Sequence, residues 1–329
     1  LLQSISFLFF FFVFCSSTFA QWANNTSLNT KLVVKTSNPI NILADSDGNS
    51  GLFLVWEDNK SAGEPDIFFL HVDGEGKASF RADGKPVSLS SGQKNNPQFT
   101  PSIGNSAIVI WKDYSFNSSG QLICQKVDGK GNLLWGEYGL QITSPNVDAS
   151  DYALACDERG ISFITFISKS GGESSVICQK VSADGRLLFP GSGIKVHNSK
   201  NRKGLTSVVE DDSSGVFVLW TELINNKMIV HSNRVDANGK LSFGKKPVAI
   251  SSPNLNVLKY SAYETGDDKV YVVWQMHKED TDVYHQMIGS NGKISWKEDG
   301  IPVTRRASDI TNPQAYVNDN QIYLTWTDE

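Results

Sequence analysis

The chain has 329 residues, of which 40% are hydrophobic and 20% charged, and its formal net charge is −5. This composition is typical of a soluble globular protein with enough apolar residues for a large core. Nucleic acids and anionic membrane surfaces require clustered Lys and Arg, whereas the basic runs are short, such as Lys200–Lys203 and Arg305-Arg306, and indicate solvated loops. The sequence therefore gives no support to a nucleic-acid or membrane-surface partner.

The first twenty residues differ from the rest of the chain. Ile5 to Cys15 is almost purely apolar, and Thr18-Phe19-Ala20 has the small-x-small pattern at which signal peptidase cleaves. A membrane-spanning helix needs roughly 20 apolar residues, more than this run supplies. We therefore predict a signal peptide over residues 1–20 and a secreted or cell-surface mature protein, residues 21–329, without a membrane span. Because the chain starts with Leu1 and has no basic residue before the apolar run, we expect the natural chain to begin earlier.

An internal repeat organises the mature chain. An apolar run ending in a large aromatic residue recurs at spacings of 55, 55, 54, 54 and 52 residues, at Trp56, Trp111, Phe166, Trp220, Trp274 and Trp326. A turn rich in Asp, Asn and Gly follows, and its last glycine recurs as Gly76, Gly131, Gly185, Gly239 and Gly292. A second aromatic stands four residues after each of these glycines, at Phe80, Trp135, Phe189, Phe243 and Trp296. The shared order of these features predicts one supersecondary unit repeated along the chain.

Each unit contains about four short strands. A closing strand is expected near Val87, Ile142, Val196, Val248 and Val303. Four strands in a unit of 53–55 residues are typical of a propeller blade, so the sequence predicts an all-β propeller of about six blades. Five units are complete, and the sixth is split between the termini, with Leu32-Val33-Val34 as its closing strand and Tyr316–Glu329 as its opening strands. Because the third strand of this blade is missing, we expect the natural chain to continue beyond Glu329.

Three cysteines remain after the predicted cleavage: Cys124, Cys156 and Cys178. An odd number of cysteines cannot all be paired. Cys124 and Cys178 occupy the same position in neighbouring units, so their Cα atoms should lie farther apart than the ~7 Å that a disulfide tolerates. We expect free, half-buried thiols.

Several short motifs recur within the units. They read Asn96-Pro97-Gln98, Trp56-Glu57-Asp58, Asp66-Ile67 and Trp296-Lys297-Glu298-Asp299-Gly300. This pattern resembles the tandem repeats of secreted Bacteroidetes proteins, and the resemblance covers essentially the whole mature chain. It implies an extracellular or cell-surface address and, usually, a carboxyl-terminal sorting domain for type IX secretion, which this sequence does not contain. It implies no catalytic residue, because the shared pattern is structural.

Two repeated features could form a ligand site. The eight tryptophans could stack on sugars, but all of them occupy repeat positions, which favours packing between blades. An acidic residue follows the strand-end Trp by two positions at Asp58, Asp113, Glu222 and Asp328. These carboxylates could form a ring that binds a cation or another ligand, although turn capping is the interpretation that we favour.

The sequence predicts no metal, cofactor or catalytic residue. Asp45-Ser46-Asp47-Gly48-Asn49 alternates oxygen ligands like a calcium loop, but Ser50 and Trp56 stand where such a loop needs Gly and Glu. The five histidines lack partners at metal-binding spacing, namely His71, His197, His231, His277 and His285. Nucleophile-elbow, phosphate-loop and dinucleotide fingerprints are also missing from the sequence.

The function that these observations favour is a non-catalytic extracellular binding or display propeller for an unknown protein or glycan. Two alternatives stay open. The chain could be a glycoside hydrolase or lyase with a site in the propeller channel, which paired channel carboxylates in one blade only would support. It could also be a structural spacer of a larger adhesin.

Overall fold

The computed structural model describes residues 32–33, 38–61, 63–80, 83–115, 117–145, 147–277, 281–303, 310–318 and 321–328. The predicted signal peptide (residues 1–20), Trp22 and Val34 lie outside these ranges. The described residues form 22 strands, and none of them belongs to a helix long and apolar enough to cross a membrane.

The strands form six consecutive sheets, which we number as blades 1 to 6. Blade 1 contains β1 (Ile40–Ser46), β2 (Leu52–Ser61), β3 (Glu64–Val72) and β4 (Lys85–Pro86). Blade 2 contains β5 (Lys94–Ser102), β6 (Ser106–Asp113), β7 (Gln121–Asp128) and β8 (Leu140–Gln141). Blade 3 contains β9 (Asp148–Cys156), β10 (Ser162–Ser170), β11 (Glu173–Val181) and β12 (Ile194–Ser199).

Blade 4 contains β13 (Lys203–Glu210), β14 (Val216–Ile224), β15 (Lys227–Val235) and β16 (Val248–Ala249). Blade 5 contains β17 (Asn256–Glu264), β18 (Lys269–His277), β19 (Thr281–Gly289) and β20 (Ile301–Pro302). Blade 6 has two strands among the described residues, β21 (Ile310–Asn318) and β22 (Gln321–Asp328). Every pairing is antiparallel between strands that follow each other in the chain, so the predicted four-stranded blades are confirmed.

In blades 1 to 5 the second strand is buried on both faces, which explains its apolar run. Ala107 to Trp111 on β6 are fully buried. Successive side chains of a strand point to opposite faces. Val109 and Trp111 therefore pack with Val55 of blade 1, whereas Ile108 and Ile110 pack with residues of blade 3. The hydrophobic core consequently lies between the blades.

The repeat tryptophans are core residues wherever a complete blade surrounds them. Trp56 is 2% exposed, and Trp111, Trp220 and Trp274 are fully buried, as predicted. Trp326 is 40% exposed, contrary to that prediction. The reason is that β22 pairs only with β21 among the described residues, so blade 6 offers less covering surface.

Two physical constraints explain why glycine recurs in this turn. Gly131 and Gly185 have positive φ angles of +74° and +82°, which side-chain-bearing residues rarely adopt. The aromatic residue of the preceding blade also packs on this turn. A Cβ atom on Gly131 would lie 3.1 Å from the ring of Phe80, and one on Gly185 would lie 2.6 Å from Trp135. The glycine and the aromatic therefore recur together because they meet across the blade boundary.

The junction between blades 6 and 1 differs from the others. Blade 6 packs on blade 5 through Ile310, but Tyr316 and Tyr323 on its described strands are 66% and 53% exposed. Leu32 and Val33 pack against the face of blade 1 that contains Trp56, without a strand assignment. Closure of blade 6 by the amino-terminal segment stays a prediction.

The three cysteines are free thiols. Cys124 and Cys178 are buried more completely than predicted, in separate clusters between blades, and Cys156 is half-buried. Burial raises the pKa of Cys124 and Cys178, which makes both side chains small hydrophobic residues rather than nucleophiles.

Candidate functional site

The first strands of all six blades surround a central channel. A cavity of about 570 Å³ lies among them. Its lining includes at least one residue from each first strand, among them Asp45, Thr100, Ala155, Val209, Glu210, Tyr263, Glu264 and Tyr316. Among the described residues, side chains from all six blades converge in this channel.

One position beside the channel has an acidic residue in some blades and a neutral residue in the others. The position lies at or near the end of the first strand of each blade. In blade 4, for example, it is Glu210, which pairs with Val216, four residues before the repeat aromatic Trp220. The six residues at this position are Ser46, Pro101, Cys156, Glu210, Glu264 and Val317. Only the neighbouring blades 4 and 5 therefore place a carboxylate at this position.

A second cavity, of about 340 Å³, contains both of these carboxylates. It is lined by Asp157, Glu158, Arg159, Glu210, Asp211, Asp212, Ser214 and Glu264, which we call the acidic mouth. Six of these eight residues are acidic and one is basic, so an incoming ligand meets a strongly negative field.

Two of the acidic residues shape the mouth by capping turns. Asp157 Oδ1 accepts hydrogen bonds from the backbone N–H groups of Arg159 and Ile161, both at 2.9 Å, while Oδ2 binds the Arg159 guanidinium. Asp211 Oδ2 accepts a hydrogen bond of 2.6 Å from Arg234 Nε. These carboxylates are held by arginines and by their own turns, as in Asx-type turns.

Glu210 is in a different situation. It is half-buried, and burial is the main reason that its pKa rises to about 7. The negative charges of Asp157 and Glu264 raise the pKa further. Glu264 itself is exposed and accepts a hydrogen bond from the backbone N–H of Gly266. A carboxyl group with a pKa near neutrality, beside a second carboxyl group, can donate and recover a proton during a reaction.

Two of the strand-end acids considered in the sequence, Asp113 and Glu222, have structural contacts, while the side chain of Asp328 lies outside the described part of the chain. Trp111 Nε1 donates to Asp113 at 3.1 Å, and Trp220 Nε1 donates to Glu222 at 3.4 Å. Both carboxylates are buried. Burial opposes ionisation of Glu222, but hydrogen bonds from His197 and its neighbours lower the pKa overall. These side chains tie the end of the second strand to nearby loops and do not line the acidic mouth.

In the calcium-like turn, the oxygen atoms of Asp47 are engaged in hydrogen bonds within the protein. Asp47 Oδ1 accepts the N–H groups of Asn49 and Gly51 at 2.7 and 2.8 Å, and Oδ2 lies 2.8 Å from His71 Nε2. Within the described ranges, no three His, Cys, Asp or Glu residues form a group that could hold a metal. The side chain of His277 is outside the described part of the chain.

Glu210 and Glu264 were not singled out by the sequence analysis. Each ends an ordinary polar-apolar strand and belongs to no short catalytic motif. The available signal was comparative, because aligning the units on the repeat aromatic shows a carboxylate at this position only in units four and five. A departure from the repeat, rather than a repeated motif, marks the site.

No family profile and no curated protein match the sequence. Solved structures do resemble the chain. A polysaccharide lyase of family PL25, an ulvan lyase, has a TM-score of 0.55 at 12% identity, covering 89% of this chain and 81% of its own. A protein of unknown function from Dyadobacter fermentans has a TM-score of 0.53 at 11% identity, covering 90% of this chain and 93% of its own. An endo-arabinase from Bacteroides thetaiotaomicron has a TM-score of 0.41 at 13% identity, covering 82% of this chain and 98% of its own. At these identities the likeness shows the fold, a β-propeller.

The expectation of a non-catalytic binding or display propeller is wrong. The polysaccharide lyase with a TM-score of 0.55 shares this fold, so a β-propeller does not by itself indicate a non-catalytic protein. Glu210 and Glu264 come from two neighbouring blades, whereas the sequence analysis named a pair of channel carboxylates in one blade only as support for an enzyme.

Proposed function

We propose that this chain is a secreted carbohydrate-active enzyme that cleaves glycosidic bonds at the acidic mouth. The observation that supports this most directly is Glu210, whose pKa is raised to about 7 beside a second channel carboxylate, Glu264. General acids work best when their pKa lies near the operating pH. The repeat does not require either residue, because blades 1 to 3 have Ser46, Pro101 and Cys156 at this position.

The proposed chemistry assigns one role to each carboxyl group. Protonated Glu210 donates its proton to the glycosidic oxygen as the bond to the sugar carbon breaks. Ionised Glu264 either activates a water molecule or attacks the sugar carbon itself. In the first case Glu264 takes the proton of the attacking water, and solvent exchange returns a proton to Glu210 and releases the one on Glu264. In the second case Glu210 takes a proton from a water molecule that attacks the sugar carbon and breaks its bond to Glu264, which restores both carboxyl groups. Asp157 binds the Arg159 guanidinium, and its negative charge helps to raise the pKa of Glu210.

The charge of the mouth favours hydrolysis of uncharged glycans over elimination from polyuronates. An elimination reaction needs positive charge near the uronate carboxyl group, to stabilise the carbanion that forms next to it. Here the cation of the mouth, Arg159, already binds Asp157. The surrounding carboxylates would also repel an anionic polysaccharide. We therefore infer a glycoside hydrolase that acts on a neutral polysaccharide.

The test is hydrolysis by the wild type and by E210Q. We expect the wild type to release reducing ends from at least one neutral polysaccharide in a panel of arabinan, xylan and galactan. E210Q should lose about 10²–10⁴-fold in rate, the usual contribution of a general acid. E298Q is the matched control, because Glu298 is an exposed residue outside the mouth. Equal rates for the wild type and E210Q would exclude Glu210 as the general acid. Formation of unsaturated uronic acid products from ulvan would show that the enzyme acts by elimination and not by hydrolysis.

Secretion is a further part of the proposal. It is supported by the apolar run from Ile5 to Cys15, the cleavage pattern ending at Ala20 and the resemblance to secreted Bacteroidetes repeat proteins. Amino-terminal sequencing of the protein exported by a bacterial host should find Gln21 as the first residue. Retention of residues 1–20 in the exported protein would contradict it.

A further inference from the structure

One position next to the end of the third strand is basic in four of the five complete blades. Its occupants are His71, Lys126, Lys180 and Arg234, with Met287 in blade 5. Each residue directly precedes a Val at or next to the end of the third strand, so the four side chains occupy equivalent places beside a blade boundary. Among them only histidine changes charge between about pH 5 and 8.

Two permanently cationic members of this series, Lys180 and Arg234, make two kinds of contact. Lys180 Nζ donates to the backbone oxygen of Ala237 at 3.0 Å, in the turn of the next blade. Arg234 stays within its own blade, where Nε donates to Asp211 at 2.6 Å and Nη1 donates to Ser242 Oγ at 3.0 Å. One contact ties neighbouring blades together, and the other fixes the turn between the first and second strands.

His71 combines both contacts in one buried side chain, which is 5% exposed. Its Nε2 lies 2.8 Å from Asp47 Oδ2, and Asp47 occupies the position that Asp211 has in blade 4. Its Nδ1 lies 2.7 Å from Ser79 Oγ, the counterpart of Ser242, and 3.2 Å from the backbone oxygen of Gly129. Gly129 is the counterpart of Ala237 in the turn of the next blade.

We propose that His71 is a pH-sensitive clamp between blades 1 and 2. The carboxylate of Asp47 and the carbonyl of Gly129 can only accept hydrogen bonds, and they face different ring nitrogens. Both contacts are therefore satisfied only when the two nitrogens each carry a proton. Loss of one proton forces the ring to give up either the turn of blade 1 or the carbonyl of blade 2. The clamp is closed at low pH and opens as pH rises.

The other charged groups near this ring are turned towards their own contacts. Asp47 is the charged group in direct contact. On the following turn of blade 1, Asp73 Oδ1 accepts the N–H groups of Glu75 and Lys77. On the facing turn of blade 2, Asp128 Oδ1 accepts the N–H groups of Lys130 and Asn132, while its Oδ2 accepts the Asn132 side chain. On β2, the ring of Phe53 packs against the imidazole with centroids 4.9 Å apart and contributes no charge.

Ser79, His71 and Asp47 also have the connectivity of a nucleophilic triad, and Ser79 is exposed. A general base needs a free lone pair on the nitrogen that faces the serine. That nitrogen is also within hydrogen-bond distance of the Gly129 carbonyl, which requires a donor. Blade 4 builds the same arrangement from Asp211, Arg234 and Ser242, where arginine cannot act as a base. The clamp is therefore the interpretation that the geometry favours.

The experiment compares the thermal stability of the full chain and of H71R between pH 5.5 and 8.5. Both proteins carry E210Q, so that titration of Glu210 does not contribute. Arginine is the residue that blade 4 uses in this position, and its charge is constant over this range. We expect Tm of the histidine form to fall by about 2–4 °C relative to the H71R form as pH rises. The amides of residues 46–51 and 128–132 should lose protection from hydrogen exchange over the same range.

R234H in blade 4 is the reciprocal variant and keeps the test informative if H71R folds poorly. It should introduce a second pH-dependent fall in Tm, with loss of protection around Asp211. Identical pH dependence of the histidine and arginine forms in both blades would overturn the proposal. Covalent labelling of Ser79 by a fluorophosphonate would also overturn it, because His71 would then act as a base.

Discussion

The blade interiors and the acidic mouth follow opposite rules. Between the blades, each complete unit packs the same types of side chain in the same positions, and Trp111, Trp220 and Trp274 are fully buried in equivalent places. At the mouth, Glu210 and Glu264 depart from the residues of the other units. A blade interior must fit two neighbours, so the repeat is constrained there, whereas the channel surface is free to vary. In a repeat protein the repeated residues report on the fold and the exceptions report on chemistry.

The largest effect should come from breaking a blade interior. Trp220→Ala should lower the free energy of unfolding by about 3–5 kcal/mol, because it leaves a cavity among fully packed side chains. Trp326→Ala is the matched variant in blade 6, where the ring is 40% exposed, and should cost much less. Chemical denaturation measures both. Equal losses would contradict the difference between complete blades and blade 6.

Much of the fold could be predicted from the sequence, because propeller packing forces the same residue types into every unit. The aromatic and glycine positions fixed the blade boundaries, and the closing strands lie next to the predicted valines and isoleucines. Trp326 was wrongly placed in the core, because a repeat pattern does not report how many strands cover a given unit. The closing strand predicted at Leu32-Val33-Val34 is only partly within the described residues.

A second repeated feature of the interiors was missed. Buried amides recur at Gln125, Gln179, Asn233 and Gln286, at spacings of 54, 54 and 53 residues. Each amide binds backbone groups of the chain that leads to the closing strand. The signal was present as a polar residue two positions before a Val or Ile at or next to the end of the third strand. It was overlooked because a polar side chain inside an apolar strand resembles ordinary alternation.

The next effect should come from removing one of these amides. Gln179 Nε2 donates to the carbonyls of Phe189 and Gly191, and its Oε1 accepts the N–H groups of Lys180 and Phe189. Gln179→Leu should lower the free energy of unfolding by about 1–3 kcal/mol, because buried backbone groups lose their partners. Blade 1 has Leu70 at this position, so the volume of leucine is tolerated there. Gln98→Leu, at an exposed position, is the control and should have little effect on the denaturation midpoint.

The candidate site was less predictable than the fold. A carboxylate pair from two blades has no sequence motif, since Glu210 and Glu264 are 54 residues apart. The pKa of Glu210 depends first on burial and then on Asp157 and Glu264, which only the folded chain places together. The sequence shows at which positions Glu210 and Glu264 depart from the repeat, but it does not show the burial and the neighbouring charges that raise the pKa of Glu210.

A smaller effect tests the cost of ionising Glu210 in the folded state. Its pKa rises from 4.5 to about 7 on folding, so the folded protein holds this proton more tightly than the unfolded chain does. This contribution to stability is complete below about pH 4.5 and is lost as pH rises through about 7. At pH 8, E210Q should therefore be more stable than the wild type by roughly 1–2 kcal/mol, after allowance for the partial exposure of Glu210. The gain should vanish at pH 4, and E298Q should show no such pH dependence.

The smallest expected effect separates the two carboxylates of the mouth from each other. Burial is the largest cause of the raised Glu210 pKa, so removing one neighbouring charge should lower that pKa by less than about one unit. We expect E264Q to do this, because the charge of Glu264 disfavours ionisation of Glu210. Titration of the Glu210 side-chain carbon by ¹³C NMR measures the pKa without reference to activity. E298Q should leave the titration curve unchanged. An unchanged curve in E264Q would mean that the two glutamates act independently, and the raised pKa of Glu210 would then result from burial and from the other carboxylates of the mouth.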